Sequence, residues 1–386
     1  GLKPPSAQDG VPGISAPALA PGGMADYDFP LDFGGTYWMH SHQGLQEQSL
    51  MSAPLIIAER EPADRQEIVL MLHDFSFRSP AEIFAGLRRA APQPQPDRVA
   101  MSGMNGMSGM SGGARLKMDL NDVDYDAFLA NDRTLLDPQV VRVERRGRIL
   151  LRIINAAAAS NFVIDLGPVA ADLVAVDGHG VKPQRGSRFP LAMAQRIDLA
   201  FEIPEDRPVV PVLAQLEGER RRTGIILASA GGAIRRLADV AAAAEPALDL
   251  RIEQGLRAAT PLNAKPADRV HEVRLTGAMD GYVWGLNGRA YGEDEPLMVR
   301  QGDRVEIVMT NTTGMAHAMH LHGHFFEVVA IDGRRFGGAL RDTVLVPPRQ
   351  SVTIAFDADN AGTWAFHCHN LYHMHAGMMT TLRYEA

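Results

Sequence analysis

The chain has 386 residues, 46% of them hydrophobic, with a formal net charge of -8 and a single cysteine. That length allows two or three packed domains, the acidic balance offers no basic face for nucleic acid, and a lone cysteine excludes a disulfide framework. No apolar run reaches the roughly 18 residues that a membrane-spanning helix needs.

Short β-rich runs lie between turns rich in Gly, Pro, Asn and Asp, and they predict an all-β chain of tandem Greek-key sandwiches. The first informative block is Tyr37-Trp38-Met39-His40-Ser41-His42. On a strand, His-x-His puts both imidazoles on one face. Strands are expected at 54–58 and 66–72. A tract then repeats methionine every third position, at Met101, Met104, Met107 and Met110. Glycine and serine make the loop 101–118 flexible, so these thioethers are expected in solvent. Soft thioethers select Cu(I), and the loop reads either as a trap for cuprous ion or as a low-complexity linker. Further strands are expected at 148–154, 173–176, 196–203 and 223–228, a stretch whose His73 and His179 lack metal-binding spacing. The run Ala241 to Ala244, after Arg235 and Arg236, reads as a surface linker with room for a short helix. Strands at 304–309 and 351–356 bracket His317-Ala318-Met319-His320-Leu321-His322-Gly323-His324, and the chain closes on His367-Cys368-His369, His373 and Met378.

Ten of the 13 histidines fall in these three blocks. Within His367-Cys368-His369 the two imidazoles share one face of an extended strand and the thiolate leaves from the other. A metal on the sulfur side is therefore joined through a few covalent bonds to metals on the imidazole side. Cysteine, two histidines and a weak axial methionine form the blue-copper donor set, and Cys368, His373 and Met378 supply three of those four. Methionine also fills core gaps, which is the plainer reading of Met378.

These blocks resemble three of the four copper motifs of the multicopper oxidases. The resemblance implies three cupredoxin-like domains: 1–62 as the later part of the first, 63–240 as a copper-free second, and 241–386 as the third. It makes His317, Cys368 and His373 the equatorial ligands of a type 1 copper, with Met378 axial. His320 is then a type 2 ligand, and His40, His42, His322, His367 and His369 hold the binuclear type 3 site. His324 carries no copper in that pattern, and His375 has no assigned role. The Met-rich tract and the wording of the blocks look nearest to the copper-resistance protein A branch.

The fourth motif, normally first in the chain, is matched only by Gly1, followed by Asp9-Gly10-Val11-Pro12-Gly13. The resemblance thus implies two histidines upstream, four coppers in a longer parent, and a fragment that binds type 1 copper without efficient oxidase turnover. Its partners are dioxygen and a reductant, Cu(I) or a phenol. Electrons would enter near His317 and His373 and pass through Cys368 to His367 and His369. Asp9 is expected either to supply protons or to serve only as a turn residue. Export to the periplasm and a monomeric state follow from the resemblance. A periplasmic copper-sequestration protein is the competing reading; the step from Cys368 to His373 disfavours a copper nitrite reductase.

Overall fold

The computed structural model describes residues 2–61, 63–89 and 120–385, and it is mainly β. The Met101, Met104, Met107 and Met110 tract lies outside the described residues. Nearest the start, Gly35–His40 pairs antiparallel with Ser52–Ile57, setting His40 opposite Ser52.

Next come two sheets over one core. The six-stranded sheet is built around Gln66–Phe75, Arg148–Asn155 and Arg196–Glu202, and the five-stranded sheet around Val209–Leu216 and Arg222–Ala228. The last part repeats this plan with a seven-stranded and a five-stranded sheet. Strand 304–311 shows why such segments become strands: its side chains alternate between buried and half-buried, as one covered face requires. Thr363–Cys368 differs, being buried from Trp364 onward because both of its faces are covered. Trp284, Trp364, Phe326, Phe356 and Phe366 are among the largest buried side chains of the described residues, each contributing about 1.5–3 kcal/mol of apolar transfer energy.

Register in the last five-stranded sheet positions the chemistry. His317–Leu321 pairs with Thr363–Cys368 so that Met319 faces Cys368 and His320 faces His367 across the ladder. Two histidine blocks far apart in sequence thereby become neighbours.

The sequence reading missed the helix Pro80–Arg89. Its start carries the reciprocal cap that defines such ends: Ser79 Oγ accepts from the Glu82 amide at 3.3 Å, and the Ser79 amide donates to the Glu82 carboxylate at 2.9 Å. Phe84 of this helix packs against Tyr282, Tyr372 and His375.

The run 241–244 is a correction. It lies at the surface as expected, with 242–244 exposed, but it forms no helix and is anchored at both ends: Ala241 is buried, its amide donates to Arg220 O at 2.7 Å, and Glu245 bridges to Glu217. The neighbouring hairpin offers unpaired backbone groups, and pairing satisfies both partners. The short helix comes later, at Arg251–Gly255. Among the described residues no helix is long and apolar enough to cross a membrane.

Gly323 sits inside a histidine block with φ 65°, and an added Cβ would lie 2.4 Å from the Trp364 ring. Gly323→Ala combines left-handed strain with overpacking, so urea denaturation should show a loss of about 2–5 kcal/mol.

Candidate metal centre

Three groups of donors converge. The first is His317, Cys368 and His373, all fully buried. Cys368 Sγ lies 3.6 Å from His317 Nδ1 and 3.8 Å from His373 Nδ1, and the two nitrogens are 3.2 Å apart. Bonds of about 2.0–2.3 Å to a shared ion set donors roughly 3.2–3.9 Å apart, so the triangle is sized for one transition metal.

Local chain geometry explains the spacing in this motif. Cys368 ends its strand, and the Asn370 side chain accepts from the amides of Tyr372 and His373, capping the short helix Leu371–His375. That first turn brings His373 back beside Cys368. Met378 follows, fully buried, its amide donating to His373 O at 2.9 Å while Cys368 N donates to Met378 O at 3.0 Å.

Groups around the triangle orient the rings. Thr313 Oγ1 is 2.8 Å from His317 Nε2. The buried Asp122 carboxylate lies 2.9 Å from His373 Nε2, and it also accepts from Tyr282 Oη and from Asn370 Nδ2. These hydrogen bonds and the proximity of His373 hold Asp122 below the usual carboxylate range against its burial. Burial, with Asp122 adding to it, pushes the Cys368 thiol up to about 12. Without a metal the sulfur is therefore a thiol, and a bound cation is what makes the thiolate favourable.

The second group is His42, His322 and His367. The Nε2 atoms of His322 and His367 are 3.1 Å apart. His42 Nε2 is buried and has no hydrogen-bond partner, the condition expected of a nitrogen that awaits a metal. His367 Nδ1 lies 3.0 Å from the carbonyl of Cys368, which leaves its Nε2 for the site. Asp9 places both carboxylate oxygens 3.1 Å from His322 Nδ1.

The third group joins His40 and His369, whose Nε2 atoms are 3.3 Å apart, to Glu47 on their far side. His320 stands beside these groups, its ring 4.8 Å from that of His322. Its Nδ1 is 2.8 Å from the Asp342 carbonyl and 3.0 Å from Thr343 Oγ1. Asp342 is in turn paired with Arg196, buried in the middle sandwich. Burial holds the imidazoles of His42, His317, His320 and His369 well below their ordinary value and takes His367 to about 3, so all remain neutral donors near pH 7.

All nine expected His and Cys donors thus lie in or beside the three groups. His324 stays out of them, its Nε2 on Tyr384 Oη at 2.8 Å and its Nδ1 on the His322 carbonyl. The supporting Glu47, Asp122, Thr313 and Asp342 were not found from sequence. Asp122 and Asp342 lie away from the motifs in sequence, while Glu47 and Thr313 lie close to them, and nothing in any of the four neighbourhoods marks the residue as the partner of a histidine.

Family models for multicopper oxidases match residues 1–62, 66–209 and 264–386. The multicopper oxidase MmcO of Mycobacterium tuberculosis is 32% identical over 382 residues, covering 95% of this chain and 72% of its own length. A copper resistance protein A homolog of Pseudomonas syringae pv. tomato is 26% identical, covering 100% of this chain and 82% of its own. Fet3p, a multicopper oxidase that functions in iron import, has a solved structure matching with a TM-score of 0.78 at 19% identity, over 99% of this chain and 78% of that one; this likeness shows the fold. The chain belongs to the multicopper oxidase family, oxidoreductases that carry type 1, type 2 and type 3 copper and use oxygen as acceptor.

Proposed function

We propose that this chain is the copper-binding body of an exported oxidase that couples one-electron oxidation of Cu(I) to the four-electron reduction of dioxygen to water, in copper resistance. The observation that carries this reading is the strand end His367-Cys368-His369, which links the sulfur-containing triangle to both histidine pairs through the peptide itself. Similarity to copper resistance protein A supports the physiological role.

In this reading His317, Cys368 and His373, with Met378, would hold type 1 copper, and His320 would belong to type 2. His42, His322 and His367 hold one type 3 copper; His40 and His369 hold the other. The domain division is 1–62, 63–240 and 241–386. Copper, when bound, would supply the redox chemistry between its cupric and cuprous states. The chain's own residues do the rest. Burial keeps the imidazoles neutral, and the contact between His367 Nδ1 and the Cys368 carbonyl adds a hydrogen-bonded route beside the covalent one. Asp9 holds the Nδ1 proton of His322 and is the acid nearest that group for proton supply.

Cu(I) is favoured over phenols at the entry side. His373 is fully buried and its Nε2 is covered by Asp122, so an aromatic ring has no direct edge to approach.

Oxygen uptake tests the reading, measured on this chain and on the product of its complete gene, with Cu(I) and with a phenol. Turnover driven by Cu(I) is expected; binding of several Cu(I) with no oxygen uptake by the complete product would favour the sequestration reading. In an active form, Asp9→Asn should slow oxygen reduction several-fold while leaving the blue absorption unchanged. Unaltered turnover would remove the proton role.

A further inference from the structure

Glu47 is a carboxylate that the type 1, type 2 and type 3 assignments leave without a function. It is 3% exposed, inside the 3-10 turn Gln46–Ser49 that follows the first histidine block. One oxygen lies 2.8 Å from His40 Nδ1 and the other 3.8 Å from His369 Nδ1. Neither nitrogen has a hydrogen-bond partner elsewhere. On the opposite side of the same two rings the Nε2 atoms converge to 3.3 Å. Glu47 therefore stands behind both imidazoles. Because its oxygens face the Nδ1 edges, it is not a third donor to an ion held by the Nε2 atoms.

The turn that carries Glu47 is fixed on every side. Ser41 Oγ donates to Gln46 Oε1 at 2.8 Å. Gln48 Nε2 reaches Asp74 Oδ1 at 3.1 Å, and Gln48 Oε1 accepts from Tyr125 Oη at 2.7 Å and Tyr372 Oη at 3.1 Å. Leu50 closes the turn in the left-handed region with φ 61°. Neighbouring residues of one turn thus hold the chain at both ends of the wire: Glu47 at His369, beside Cys368, and Gln48 at Tyr372, beside His373.

We propose that Glu47 is a positioning residue for the His40 and His369 half of the type 3 site. One carboxylate faces two ligands: at 2.8 Å it holds the proton of His40 on Nδ1, and across 3.8 Å its negative charge favours the same tautomer of His369, so that both Nε2 lone pairs are aimed at a single copper. A carboxylate behind a ligating imidazole fixes its tautomer and raises its basicity. Here the device is shared, so losing it disturbs both donors of that copper at once. The inference rests on the copper reading given above and deepens it.

The test compares wild type, Glu47→Gln, Glu47→Ala and Glu47→Asp in the copper-loaded product of the complete gene, by copper content, blue absorption and EPR. Paired type 3 coppers are EPR-silent, so a weakened half-site appears as lost copper or as a new cupric signal. Glu47→Ala should lower affinity at that half-site about 10- to 100-fold. Glu47→Gln, with one acceptor oxygen for two rings, should do so less, and Glu47→Asp should largely restore the wild-type spectrum. Blue absorption and the type 1 signal should stay the same in all four, whereas general misfolding would weaken them together. Wild-type copper content and spectra in both Glu47→Gln and Glu47→Ala would overturn the proposal alone. Failure of the wild type itself to show blue absorption and coupled copper would overturn the copper reading, and this inference with it.

Discussion

Serine at position 368 is expected to abolish the blue absorption and to reduce oxygen-coupled turnover to background, while the histidine groups still bind copper. The colour depends on charge transfer from the thiolate to cupric ion, which a hydroxyl cannot reproduce. The loss of turnover has a separate cause. His317 and His373 sit on one side of the strand end and His367 and His369 on the other, and Cys368 is the residue through which both sides are covalently joined. In the metal-free chain the same change should be mild. Cys368 is fully exposure-free and, with its thiol pushed up to about 12, behaves as a small apolar side chain; a serine hydroxyl left without a partner there costs about 1–3 kcal/mol. Absorption spectroscopy, oxygen uptake and EPR on one Cys368→Ser preparation check all three expectations. Wild-type turnover in that variant would show that electrons bypass the strand end, and the wiring argument would fail.

What could be read from the chain, and what could not, divides along physical lines. Strand parity alone told that Cys368 and its flanking histidines face opposite ways, because the two-residue repeat of a strand is local geometry. Motif spacing picked out the histidines and the cysteine that the fold gathers in or beside the three groups for the same reason: each block is one strand or one strand and a turn. Helix Pro80–Arg89 was legible in principle from Ser79 and Glu82, but the surrounding β pattern concealed it. The carboxylates behind the rings were not legible. Asp122 reaches Asn370 from 248 positions away, and Asp9 reaches His322 from 313. Such pairs are made by the packing of sandwiches on one another, and an acidic side chain carries no sequence mark of which histidine it will meet. Asp9 was found only because the family motif pointed to it, and Glu47, next to a quoted block, went without a role because nothing in that block says which way a 3-10 turn aims its side chains.

The same packing makes the metal-free protein sensitive to acid. Burial lowers His42, His317, His320, His367 and His369 from their ordinary value near 6.5, with His367 taken to about 3. In the unfolded chain these imidazoles bind protons as pH falls through about 6.5, whereas in the folded chain they stay neutral. The unfolded state then holds more protons, so stability is complete above pH 6.5 and is lost progressively below it, until the folded groups titrate as well. At pH 5.5 each such histidine costs on the order of 1 kcal/mol, and five together cost several kcal/mol. That rivals the whole stability of an ordinary domain, about 5–15 kcal/mol. Asp342, held well below the usual carboxylate range by Arg196 despite its burial, adds a loss of the same sign at lower pH. The metal-free chain is thus expected to unfold cooperatively between about pH 5 and 6, taking up protons as it does so. Copper should move that transition to lower pH, because protons must compete with the ion for the same nitrogens. Circular dichroism and tryptophan fluorescence across pH 7.5 to 4, with and without copper, measure both midpoints. A metal-free chain that stays folded to pH 4, or a midpoint that copper leaves in place, would mean that these nitrogens are not the neutral, inward-facing donors on which the three sites depend.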